Sequence, residues 1–111
     1  MSLKLLKKIA FEIDKEALGH NETIFDNETT HITFHRICPG EQSGWHRHEF
    51  DYVGYHMSTS TLSVEFVDGT TGEMISKKGV ATFYEVDDGF VHNVTNVGDT
   101  DMVALEIEYK K

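Results

Sequence analysis

Gly40-Glu41-Gln42-Ser43-Gly44-Trp45-His46-Arg47-His48 is the stretch on which the reading of this chain turns. Strand side chains at i and i+2 share a face, so His46 and His48 can offer two imidazoles to one ion. Further along, Gly89-Phe90-Val91-His92-Asn93-Val94-Thr95-Asn96 supplies another histidine. Placed on a neighbouring strand, His92 completes one face of a coordination sphere, and imidazole suits zinc, copper, iron and nickel.

Working outward, the β signals are short and punctuated by turns. Thr30 to Ile37 is rich in Thr, Ile and Phe and stops at Pro39-Gly40, a turn pair. Asp51 to Met57 is a second β-prone run. Thr61 to Val67 alternates and ends at Asp68-Gly69, a hairpin signal. Val80 to Val86 is apolar and aromatic and is closed by Asp87-Asp88-Gly89. Met102 to Tyr109 sets Val103, Leu105, Ile107 and Tyr109 on one face and Glu106 and Glu108 on the other. Strands of this kind predict an all-β sandwich or barrel. Residues 1–19 read equally as a short amphipathic helix stopped by Gly19 or as a strand. No repeat, low-complexity tract or linker stands out. The expectation is one domain over residues 1–111, with the barrel over about 22–109 and an N-terminal segment, 1–21, of open structure.

Composition narrows the function. A chain of 111 residues suffices for one modest core. Ten Lys and Arg face 19 Asp and Glu, a net charge of −9 with no basic cluster, which disfavours nucleic acid as a partner. The one cysteine, Cys38, excludes an intrachain disulfide and fits a reducing compartment. No apolar run approaches a membrane span. The early acidic residues Glu12, Asp14 and Glu16 are unlike a signal or transit peptide, so the expected location is cytoplasmic.

The two histidine stretches resemble the signature motifs of the cupin superfamily. In the first, G-x5-H-x-H-x3-4-E-x6-G, the places of the glycine and both histidines are held by Gly40, His46 and His48. In the second, G-x5-P-x-G-x2-H-x3-N, Gly89, His92 and Asn96 match, while Ala81 and Asp87 stand where glycine and proline belong. The similarity runs from about Glu22 to Tyr109. Pro39-Gly40, the run from Gly44 to His48, and Asp51-Tyr52-Val53 are most similar to small cupins named for β-alanine degradation. The resemblance implies a double-stranded β-helix, or jelly roll, often dimeric, in which His46, His48 and His92 hold one divalent transition metal. Two features depart from the pattern. The motif's metal-binding glutamate falls near Tyr52 or Val53, neither a carboxylate, and its closing glycine is replaced by Thr59-Ser60.

The fourth ligand stays open among Asp51, Gln42 and water. Parity turns Asp51 away from His46 and His48 unless a bulge rotates it. Tyr52 has the right parity, and its hydroxyl is expected to bond a metal-bound water or the substrate. His56 shares that parity and is the other candidate for catalytic work, orienting a ligand or moving protons. His31 and His35 share a face but lie too far apart for easy co-ligation and read as structural; His20 reads as a solvated turn residue. Trp45 and Arg47 point away from the metal, toward packing or a dimer contact. Cys38 reads as a small buried hydrophobe, Phe83, Tyr84 and Phe90 as core, and Asn96 as holding a turn.

Two classes of function follow. One is a metal-dependent enzyme acting on a small polar or carboxylate metabolite. With a redox metal, iron favoured, it would be a dioxygenase; with an inert one, an isomerase, lyase or hydrolase. The replacement of glutamate by Tyr52 leans toward three-histidine dioxygenase chemistry. The other class is a non-catalytic cupin that binds a metal or small molecule. Three neutral imidazoles leave the ion its full charge, which favours an anionic ligand such as a carboxylate. An acidic barrel with sheet faces and edges to cover is expected to form a homodimer.

Overall fold

The computed structural model describes residues 17–87 and 89–110; the helix-or-strand question over residues 1–16 lies outside them. Among the described residues nine strands follow in chain order: β1 (His20–Asp26), β2 (Thr30–Ile37), β3 (His46–His48), β4 (Tyr52–His56), β5 (Ser60–Phe66), β6 (Thr71–Ser76), β7 (Ala81–Tyr84), β8 (Phe90–Asn96) and β9 (Met102–Tyr109). They pair antiparallel in two sheets, one of order β1-β2-β9-β4-β7 and one of order β3-β8-β5-β6. The result is the expected all-β double-stranded β-helix. No helix among the described residues is long and apolar enough to cross a membrane.

Local chemistry accounts for the clearest elements. β2 and β9, both dense in β-branched and aromatic residues, pair without interruption from Thr30↔Tyr109 to Ile37↔Met102. Between β5 and β6 the chain turns at Asp68-Gly69. Gly69 takes φ 90°, a conformation that glycine adopts freely. The Asp68 carboxylate accepts from the Thr70 amide at 2.9 Å. β1 gave no alternation to read because all seven of its residues are exposed, with a bulge between Thr23 and Phe25. His20 begins this strand rather than sitting in a turn, and it is exposed beside Glu22.

The orientation of the five-stranded sheet decides what the barrel contains. Phe25, Ile32, Ile107, Val53 and Phe83 fall in one register row across all five strands. Strand parity sets that row opposite the buried Tyr52, Gly54 and His56, hence on the outward face. The apolar side of β9 therefore looks out, and Glu106 and Glu108 look in. Phe83, expected in the core, is 54% exposed on this outer face. Tyr84, its neighbour of opposite parity, turns inward and stacks on Tyr52.

The apolar core is confined to one end of the interior, where β2 finishes and β9 begins. Ile37, Leu62, Met102 and Ala104 form it, with Met74 and Val94 packed against them. Cys38 lies just outside and is half-buried rather than a core hydrophobe. Burial, then the neighbouring carboxylates of Asp101 and Glu41, push its thiol up and keep it protonated.

Candidate metal centre

The first histidine stretch is stitched to the second before the histidines are reached. The Gly40 amide donates to Asn96 O (2.9 Å), the Asn96 amide to Glu41 O (3.0 Å) and the Ser43 amide to Val94 O (2.7 Å). Gly44, at φ 86°, then turns the chain into β3. β3 pairs with β8 in the register His46↔His92 and His48↔Phe90. At Gly89 the start of β8 lies so close to β3 that a Cβ there would stand 2.6 Å from an Arg47 nitrogen and 3.0 Å from His48 O. Asn96, 1% exposed, donates to Ile37 O and Thr100 O and accepts from the Gly98 amide, the turn-holding role read from the sequence.

This pairing brings three ring nitrogens to one point. The Nε2–Nε2 distances are 3.0 Å between His46 and His48, 3.0 Å between His48 and His92, and 2.9 Å between His92 and His46. Among the described residues they form the one cluster of His, Cys, Asp or Glu side chains able to share an ion. His46 Nδ1 donates to Gly44 O at 2.8 Å, which leaves its Nε2 a bare lone pair. His48 Nδ1 faces Glu106 Oε1 at 3.9 Å, an arrangement that favours the same tautomer. At these distances a neutral Nε2–H of one ring can donate to the lone pair of another, and one cation can take the lone pairs of all three. Burial pushes the imidazolium form of His48 down to about 4 and that of His92 to about 3, so both rings are neutral, the state in which imidazole binds a metal. An ion with metal–nitrogen bonds of about 2.1 Å could be held by all three nitrogens at this spacing. The three-histidine cluster is thus compatible with one metal ion.

The other expected residues take distinct positions. Tyr52, 5% exposed, stacks on the His48 ring at a centroid distance of 4.4 Å and on Tyr84 at 4.9 Å. Burial, then Glu106, push its phenol up, so it is protonated. Asp51 turns away from the cluster, as parity required, and accepts from the Val86 amide at 2.7 Å. Gln42 is engaged elsewhere, accepting from Asn93 Nδ2 at 2.9 Å. Trp45 is 54% exposed, and Arg47 lies on the same outer side, near Glu49. Phe90 packs its ring against both His48 and His92. His56 is buried and lines a cavity of about 80 Å³ that reaches His46 and His92.

Two residues of this site escaped the sequence reading. Glu106 lines the same cavity, with its other oxygen 3.4 Å from His35 Nε2. Burial works to raise its carboxyl, but His35 and then His48 and His46 outweigh it and hold it below its ordinary range. His35 is therefore the partner of a site carboxylate as well as a barrel histidine. The alternation of β9 carried part of the signal, since it set Glu106 and Glu108 together on one face.

A two-sheet barrel with three imidazoles converging inside it is a double-stranded β-helix carrying a cluster compatible with one metal ion. No family model matches the sequence. The β-alanine degradation protein BauB of Pseudomonas aeruginosa is 34% identical over 85 residues, covering 77% of this chain and 86% of that protein. A cupin domain of Bordetella pertussis Tohama I superposes with a TM-score of 0.76 at 36% identity, over 85% of this chain and 95% of that one. An RmlC-like cupin of Methanocaldococcus jannaschii shares the fold at 12% identity, with a TM-score of 0.65 over 84% of this chain and 81% of that one. The chain belongs to the cupin family, as its two histidine stretches implied.

Proposed function

We propose that His46, His48 and His92 hold one divalent transition metal and that the protein is a metal-dependent enzyme of dioxygenase type, acting on a small polar or carboxylate metabolite. The triangle of Nε2 atoms, with no edge longer than 3.0 Å, carries this reading. A redox-active ion, iron first among the candidates, supplies electron transfer to oxygen when bound. The remaining work falls to the chain. Gly44 O fixes the His46 tautomer, the Glu106 carboxylate 3.9 Å from His48 Nδ1 favours a proton on that nitrogen, and the Tyr52 ring holds the plane of His48. The protonated Tyr52 phenol serves as a donor to the ligand. His56 orients the ligand from deeper in the cavity.

Neutral ligands leave the ion its charge and support an anionic ligand; the name of BauB, which speaks of β-alanine degradation, is in keeping with a small carboxylate compound. We place the protein in the cytoplasm, in keeping with its single cysteine, and assign it a homodimer. The outward row of Phe25, Ile32, Ile107, Val53 and Phe83 gives a second copy an apolar face to cover. The functional test is oxygen consumption by iron(II)-loaded, untagged protein across a panel of small carboxylates. At least one should raise uptake well above that of His48→Ala; uptake equal in the two proteins across the panel refutes the dioxygenase reading.

A further inference from the structure

His56 is a buried polar group in an apolar place. It is 8% exposed, and its Nδ1 meets no hydrogen-bond partner. The cavity it lines has His46 and His92 at one end, with Leu62, Met74 and Met102 among its apolar walls. Along the inward face of β4, Tyr52 stands beside His48, and His56 follows four residues later, about 13 Å further along the strand. Gly54 lies between them on the same face. A Cβ at Gly54 would stand 3.4 Å from Tyr84 Cε2 and 4.0 Å from His56 Nε2, so a larger side chain there would fill the passage that glycine leaves open.

The nitrogen turned toward Gly54 and the cavity is Nε2, and no hydrogen bond engages it, so this edge of the ring is open to a ligand. A lone water is a poor answer, because a buried water needs two or more polar partners. The lining residues nearest the apolar core offer few; the Tyr84 hydroxyl is already turned to Met74 Sδ at 3.5 Å. A charged group would lie unpaired against Leu62 and Met102. A hydroxyl can pair with Nε2 in either tautomer, donating to its lone pair or accepting from its N–H, and a carbonyl can accept from the N–H.

We infer that His56 is a second recognition point, hydrogen-bonding a neutral polar group at the far end of a short ligand whose anionic end sits at the three histidines. This rests on the metal reading above and adds the shape of the ligand. The ligand is a small ω-hydroxy or ω-oxo carboxylate with an apolar middle, small enough for a cavity of about 80 Å³.

The test is calorimetric titration of zinc-loaded protein with 3-hydroxypropionate and 4-hydroxybutyrate, each against its parent acid, propionate or butyrate. The better hydroxy acid should bind at least tenfold more tightly than its parent. In His56→Phe the ratio should fall to near one with zinc stoichiometry unchanged, and His56→Gln, which keeps a donor and an acceptor, should restore part of it. His56→Leu, with folding checked by circular dichroism, replaces His56→Phe if the larger ring does not fit. A ratio near one for both pairs in the unaltered protein, or a ratio that survives removal of the imidazole, overturns the inference while leaving the metal reading intact. Failure to take up zinc, or any divalent transition metal, refutes the metal reading, and this inference falls with it.

Discussion

At one end of the barrel interior, Ile37, Leu62, Met102 and Ala104 close on one another with Met74 and Val94 beside them. At the other end of the same strands, the inward positions belong to His31, His35, Tyr52, Glu106 and Glu108, facing His46, His48 and His92. Both ends obey the same alternation, and only the chemistry of the inward residues changes along the strands. The apolar end is held by water-excluding contacts that need no partner. The polar end is held by a network in which each ring has a ring, carbonyl or carboxylate beside it. The comparison teaches that stability and chemistry are divided lengthwise in this barrel, so substitutions at the two ends should have separable effects.

The largest separable effect is expected at the apolar end. Leu62 is 1% exposed, and Leu62→Ala should cost about 2–5 kcal/mol of folding stability through lost burial and the cavity left behind. Denaturant titration would show this, while the folded fraction binds as much metal as before. Reduced metal stoichiometry in the folded fraction would break the division. At the polar end, Glu106→Gln should weaken metal affinity by about 10- to 100-fold, the usual effect of losing a carboxylate behind a histidine ligand. Competition against a chelator measures it, and an unchanged affinity would show that Glu106 does not orient His48.

Acid should also act on the polar end. Burial depresses His48 to about 4 and His92 to about 3, below their ordinary 6.5. Between those limits the unfolded chain binds protons that the fold refuses, so stability falls as pH drops through that window. The thermal midpoint of metal-free protein should decline from pH 6.5 toward pH 4, and less steeply in His48→Ala. An identical decline in both would remove His48 as a cause. The smallest effect is expected of Asp51→Ala: its carboxylate caps the Val86 amide, so metal content should stay within error of the unaltered protein. Loss of metal comparable to that in His48→Ala would place Asp51 in the ligand set.

Which parts of this were legible in the sequence follows from what alternation can and cannot say. β2 and β9 were readable because their residues alternate and favour strands, and Asp68-Gly69 marked its own turn. The histidine triangle was readable because i and i+2 fix a shared face, and His92 stands at its expected place in the second motif. β1 was not, since neither of its faces is buried. Glu106 and Phe83 were lost for a common reason. Alternation sorts a strand into two faces, but which face turns inward depends on the sheet that covers it. Here the inner face is the polar one, so the residues that look like core lie outside and the carboxylates lie within.

Elemental analysis of untagged protein addresses the central claim most directly, with His46→Ala, His48→Ala and His92→Ala measured beside it. The unaltered chain should carry close to one equivalent of a single divalent transition metal, retained through dialysis, and each variant should fall to a trace while remaining folded. A chain that binds no transition metal even when one is offered, or a His46→Ala variant that keeps its full complement, would contradict the assignment of these three histidines as the metal centre.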